Sequence, residues 1–169
     1  MDNKVMKFSP AIFIIILICF FLPFINITCQ GEKVATLTGI QLVTGTTIEQ
    51  PSMFGAKGKT TKVEGELMAL LAFISAIVGL ILSFLKNRKI SLATAIVGGL
   101  GLIFLLLLKN KLDNDMLREG QGMLQLEYST GFWLTLIFFI LAAVWNVFIF
   151  SKGNKIQIEE TKNQTKVSI

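Results

Sequence analysis

The sequence predicts an all-α membrane protein: a four-transmembrane-helix bundle with a small extracellular β-sheet formed mainly by the first outer loop. Three observations carry this reading. Hydrophobic residues make up 53% of the chain and charged ones only 16%, against the roughly 25% charged of a soluble domain. The apolar residues are gathered into four uncharged runs of 19 or 20 residues, each long enough as helix to cross a hydrocarbon core of about 30 Å. Between the first two runs lies a Val-, Thr- and Ile-rich stretch with two-residue alternation, the mark of strands. The chain reads as one domain, 1–169, with spans at 8–27, 67–85, 90–108 and 132–150. Outer loops occupy 28–66 and 109–131, and a cytoplasmic tail 151–169.

The first run, Phe8 to Ile27, follows Lys4 and Lys7 and invites a signal-peptide reading. Its length, and the absence of a small-residue cleavage pattern after it, predict a retained anchor. Pro10 suits a first helical turn, and Pro23 is expected to kink or end the helix on its far side. The second and third runs are joined only by Lys86-Asn87-Arg88-Lys89, which forces a tight helical hairpin. With that turn in the cytoplasm, the inner side carries nine basic and three acidic residues, +6, and the outer side seven and eight, −1. The excess of inner cations predicts a multi-pass cell-membrane protein with both termini cytoplasmic. The inverted topology is the alternative, because Lys57, Lys59, Lys62, Lys109 and Lys111 also lie near span ends.

In the first outer loop, Val34, Thr36, Thr38, Ile40 and Leu42 alternate, and Gly31, Gly39 and Gly45 punctuate the stretch. Strands are expected here, with Thr60 to Val63 as a further short one; a flexible loop is the alternative. In the second, the spacing of Leu105, Leu108, Leu112 and Met116 carries the third helix past the membrane until Gly120 and Gly122 stop it. Leu124, Leu126 and Tyr128 alternate beyond, as a strand docking on the first loop's sheet or as a coil. Cys29 begins that sheet in this reading. Ten helical residues separate it from Cys19, about 15 Å, too far for a disulfide, so a shielded thiol is expected.

Small residues allow helices in lipid to approach closely. On the second span Ala72 and Ala76 form one stripe, and Ser75, Gly79 and Ser83 another; on the third stand Ser91, Ala95 and Gly99. These stripes are expected to face each other across the hairpin, a homodimer seam being the alternative. Asn146 is the most polar side chain at membrane depth; a structural role is expected, bonding across helices or simply reaching the interface.

The sequence offers little chemistry. There is no His, and no Asp, Glu, Lys or Arg within a span to mark an ion path or proton relay. Neither a catalytic pair nor a metal constellation is evident, so no enzyme activity, cofactor or metal is expected. The Gly58-Lys59-Thr60 tripeptide lacks the rest of a phosphate loop. Asp113, Asp115 and Glu119 read as solvated loop acids. Asn26-Ile27-Thr28 and Asn163-Gln164-Thr165 match glycosylation sequons by accident of sequence. The basic residues lie at span ends without interleaved aromatics, which argues against nucleic acid as a partner.

The order helix, strand-rich outer loop, helix, tight inner turn, helix, short outer loop, helix resembles that of claudin-like tetraspan membrane proteins. Their tryptophan-glycine-leucine-tryptophan motif and paired cysteines are missing, since this loop has no Trp and only Cys29. On FLPFINITCQGEKVATLTGIQLVTG and EYSTGFWL the chain is also similar to uncharacterised prokaryotic four-helix membrane proteins. These readings lead to an expected non-catalytic tetraspan in a lipid bilayer. Its outer loops would contact a membrane or extracellular protein, or a second copy in a homo-oligomer. An oligomeric channel or small-solute transport component is the alternative.

Overall fold

The computed structural model describes residues 3–29, 32–49, 60–85, 88–119 and 124–167. In chain order the elements are α1 (Asn3–Cys19), β1 (Pro23–Cys29), β2 (Glu32–Thr38), α2 (Gly39–Thr44) and β3 (Thr46–Glu49). They continue with β4 (Thr60–Val63), α3 (Leu67–Phe84), α4 (Arg88–Glu119), β5 (Leu124–Tyr128) and α5 (Thr130–Val167). The fold is mostly helical. Three helical segments, Leu67–Phe84, Ile90–Asp115 and Thr130–Ser151, are long and apolar enough to cross a membrane.

These three pack as the sequence demands. The short turn after α3 brings α4 back along it, and α5 lies along α4 in turn. Their outward faces carry exposed Ile81, Ile96, Ile103, Ile137 and Val144, so these helices are apolar outside as well as at their contacts. α4 runs on to Glu119, past the end of the uncharged run at Leu108, as the Leu105–Leu108–Leu112 spacing predicts. α5 also continues, through Val167, where the sequence predicts only a tail.

The first apolar run is not one helix. α1 stops at Cys19; Phe20 to Leu22 turn, and Pro23 opens a strand. Proline fits there because it supplies no amide to a helix ladder and is tolerated as the first residue of a strand. At its other end α1 begins at Asn3, which puts Pro10 inside the helix rather than in its first turn. α1 lies against α3 and α5, burying Phe13, Ile16 and Phe20.

β1 is the middle strand of a three-stranded antiparallel sheet ordered β2-β1-β5. Ile27 pairs with Ala35 on one side and Leu126 on the other. β5 thus joins the sheet of the first loop, the docked-strand alternative. β3 and β4 form a separate two-stranded ladder, with Thr46 opposite Val63. Ile40 and Leu42, expected in a strand, belong instead to α2. Thr38 caps that helix: its hydroxyl accepts from the Gln41 amide at 3.3 Å, and the Thr38 amide donates to Gln41 Oε1 at 2.9 Å. This reciprocal pair is a capping box, and it stops the strand at Thr38. Gly45 ends α2 at φ 77°, a backbone region that side chains disfavour.

Candidate functional site

Two clusters join elements distant in sequence, one at each end of the helices. At the sheet end the join is aromatic. Phe20, Phe24 and Phe132 are fully buried. Ring centroids lie 5.1 Å apart for Phe20 and Phe24, 6.0 Å for Phe24 and Phe132, and 4.8 Å for Tyr128 and Phe132. Phe73 of α3 adds an edge contact to Phe20 at 5.1 Å. The cluster therefore takes a ring from α1's exit, β1, α3, β5 and α5, and it seats the sheet on the helices. Gly39 makes room for α2 beside it, since a Cβ there would lie 2.8 Å from the Phe20 carbonyl oxygen.

Polar groups complete the join. The Tyr128 hydroxyl stands 2.6 Å from Asp113 Oδ1 and 3.0 Å from the Lys109 carbonyl oxygen, donating across the pair. Lys109 Nζ reaches Asp113 Oδ2 at 2.8 Å and lies 4.9 Å from the centre of the Tyr128 ring. Burial, reinforced by the Asp113 carboxylate, pushes the Tyr128 phenol far above its usual range. It remains a proton donor throughout the physiological range. Lys111 Nζ meets Glu66 at 2.6 Å and ties the α4 extension to the start of α3. Within the sheet, Thr36 donates to Asn26 Oδ1 at 2.9 Å and Thr28 to the Gln125 carbonyl at 3.1 Å. Asn26 of the first sequon is buried in this ladder.

At the opposite end the join is a thin polar layer. Ser9 of α1 donates to Asn146 Oδ1 of α5 at 3.1 Å. Ser9 Oγ is also 2.5 Å from Ser83 Oγ of α3. With the Ser9 proton committed to Asn146, Ser83 is the donor of that pair. Ser91 of α4 donates to the Asn146 carbonyl at 3.1 Å, and Asn146 Nδ2 returns to the Ala142 carbonyl at 2.8 Å. Asn146 thus bonds across helices, the first of the two alternatives its polarity left open.

The small residues divide among different neighbours. Ala72, Ala76 and Ala95 are buried, and Ser75 donates to the Leu71 carbonyl of its own helix at 2.8 Å. Gly79 does not face α4: a Cβ there would strike the Phe13 ring of α1. Gly99 meets nothing within 4 Å, whereas its neighbours Gly98 and Gly101 turn to Ala143 and Phe139 of α5. The expected facing of the Gly79 and Gly99 stripes is therefore corrected. Four-residue spacing places residues on one face without saying which neighbour that face meets. Cys29 closes β1 opposite Glu32 and Leu124, and its side chain lies outside the described residues. Cys19 is a buried free thiol. The expected turn at Gly120 and Gly122, and the Gly58-Lys59 pair, also lie outside them.

Sequence reasoning missed the Tyr128–Asp113–Lys109 cluster. The Lys109/Asp113 spacing of four residues was a visible signal for an ion pair on one helix face, but nothing in the sequence brought Tyr128 to it. Among the described residues no three His, Cys, Asp or Glu side chains gather where they could hold a metal. No family model matches the chain, and no curated protein matches it in sequence. The arrangement is one of mutual support, in which helices hold a small sheet at one end.

Proposed function

We propose that this chain is a non-catalytic, four-pass protein of the cell membrane whose extracellular sheet binds another protein or a neighbouring copy. α1 serves as the fourth crossing in this reading. Its apolar helix, packed between α3 and α5, and the exposed Phe21 and Leu22 beyond it support that role. The charge imbalance of +6 against −1 supports cytoplasmic termini, and the order of elements in the sequence resembles that of claudin-like tetraspans.

One observation carries the binding role: the sheet is anchored, yet among the described strands its two edges are unpaired. The aromatic cluster and the Tyr128 hydroxyl hold it on the helices. Meanwhile β2 and β5 each pair on one side only among the described strands. An unpaired edge on a fixed support is a template for an incoming strand, and little ordering entropy opposes its use. Placing a photo-crosslinking residue at exposed Thr36 of β2 or Gln125 of β5 in intact cells should give a discrete adduct. Absence of an adduct at both positions, with normal expression, removes the binding role. A reporter fused after Ile169 that is active only outside the cytoplasm reverses the orientation.

A further inference from the structure

The hydrogen bonds among Ser9, Ser83, Ser91 and Asn146 mark a common level on α1, α3, α4 and α5. From that level the helical rise of about 1.5 Å per residue sets the height of each residue further along its helix. Lys7 and Lys4 come about 3 and 8 Å further out on α1, Lys89 and Arg88 about 3 and 5 Å out on α4, and Lys152 about 9 Å out on α5. Five cations on three helices therefore share a slab about 6 Å deep.

None of the five has an acid three or four residues away on its own helix, the spacing that would neutralise it. Asp2, the one acid that precedes Lys4 and Lys7 in the sequence, lies outside the described residues. Glu159 and Glu160 follow Asn146 on α5 by about 20 Å. At the sheet end Lys109 pairs with Asp113 and Lys111 with Glu66. At the level of the polar layer, Phe84, Leu92 and Phe148 are exposed. This end thus gathers cationic residues at one level of the helices, next to exposed apolar surface.

A free anion would satisfy only the charge, while an amphiphile satisfies both. We propose that this end binds the phosphate headgroup of an anionic phospholipid, with acyl chains along the apolar surface beside it. The site rests on the membrane-crossing reading and is independent of any partner at the sheet.

The test uses the full-length protein in mild detergent, with retained lipid counted by native mass spectrometry. Phosphatidylglycerol should be retained at least about tenfold over phosphatidylcholine, since each Lys or Arg near a headgroup contributes about 1 kcal/mol. Each charge removed should lower that preference further, by up to about fivefold. The K4Q/K7Q/R88Q/K89Q/K152Q protein should show parity between the lipids. The R88Q/K152Q double variant, which leaves three cations, serves if the fivefold variant does not fold. Equal retention by wild type, or an unchanged preference in a folded variant, overturns the proposal. Displacement of phosphatidylglycerol by millimolar inorganic phosphate reassigns the site to a free anion and also overturns it. Loss of crosslinking at Thr36 and Gln125 with the lipid preference intact separates failure of the sheet reading from failure of this one.

Discussion

At the sheet end, the rings of Phe20, Phe24, Phe132 and Tyr128 press elements together, with charged groups ranged around them. At the opposite end, the helices meet through three hydroxyls and one carboxamide. The contrast follows from the surroundings each end would have in a membrane. Lipid tails are as apolar as the side chains they touch, so hydrophobic burial does little to draw helices together there. Close packing and a few hydrogen bonds must suffice. The sheet end lies where the helices leave their apolar runs, and there a cluster of buried rings can exclude water between the sheet and the helices.

Mutations can break this contrast. Phe132→Ala should cost most, about 3–5 kcal/mol, because it empties the centre of the ring cluster. Chemical denaturation in detergent micelles would measure it, with faster hydrogen exchange in β5 as the local sign. Next comes Gly79→Leu, which drives a side chain into Phe13 and should cost about 3 kcal/mol by overpacking. Its control is Gly99→Leu, which enters open space and should stay within about 0.5 kcal/mol of wild type. Equal losses for the two would show that α1 does not sit against α3.

Tyr128→Phe removes a hydroxyl shared between a carboxylate and a carbonyl. The expected loss is about 1–2 kcal/mol, reduced because the Lys109–Asp113 pair is partly exposed and survives. Hydrogen exchange should rise in β5 before any change in α5. The smallest effect belongs to Asn146→Ala, about 1 kcal/mol or less, since interhelical hydrogen bonds within membranes are individually modest. If Asn146→Ala proves costlier than Phe132→Ala in the same denaturant series, the assignment of weak polar joining to one end and strong aromatic joining to the other is wrong.

Much of this architecture was legible in the sequence because it rests on local pattern. The uncharged runs at 67–85 and 90–108, the strand at Thr60 to Val63 and the extension of α4 past Leu108 all follow from periodicity. The end of α1 was hidden because PFINI is as apolar as a helix segment, and hydropathy does not distinguish a buried strand from a span. The capping box at Thr38-Gly39-Ile40-Gln41 was visible, but the two-residue alternation through Leu42 masked it. The neighbours of Gly79 and Gly99, and the meeting of Tyr128 with Asp113, are matters of tertiary placement. No spacing rule within one helix supplies them.

On the proposed four-pass reading, the early end of α1 has a consequence for the lipids that would surround it. From Phe8 to Cys19 the helix offers about 18 Å of apolar length, against about 28 Å for α4 between Ile90 and Leu108. Beyond Cys19 the wall is made by exposed Phe21 and Leu22 and then by β1, whose backbone groups are engaged by β2 and β5. An extended segment so paired can approach hydrocarbon without leaving amides bare. The apolar girdle is accordingly uneven in height, low on the α1 side and tall around α4. A bilayer of uniform thickness cannot match both, so either the annular lipids thin beside α1 or the helices tilt toward it. In a series of bilayers of increasing acyl length, that lopsided mismatch should register first in hydrogen exchange at Phe20 to Leu22, while the middle of α4 stays protected.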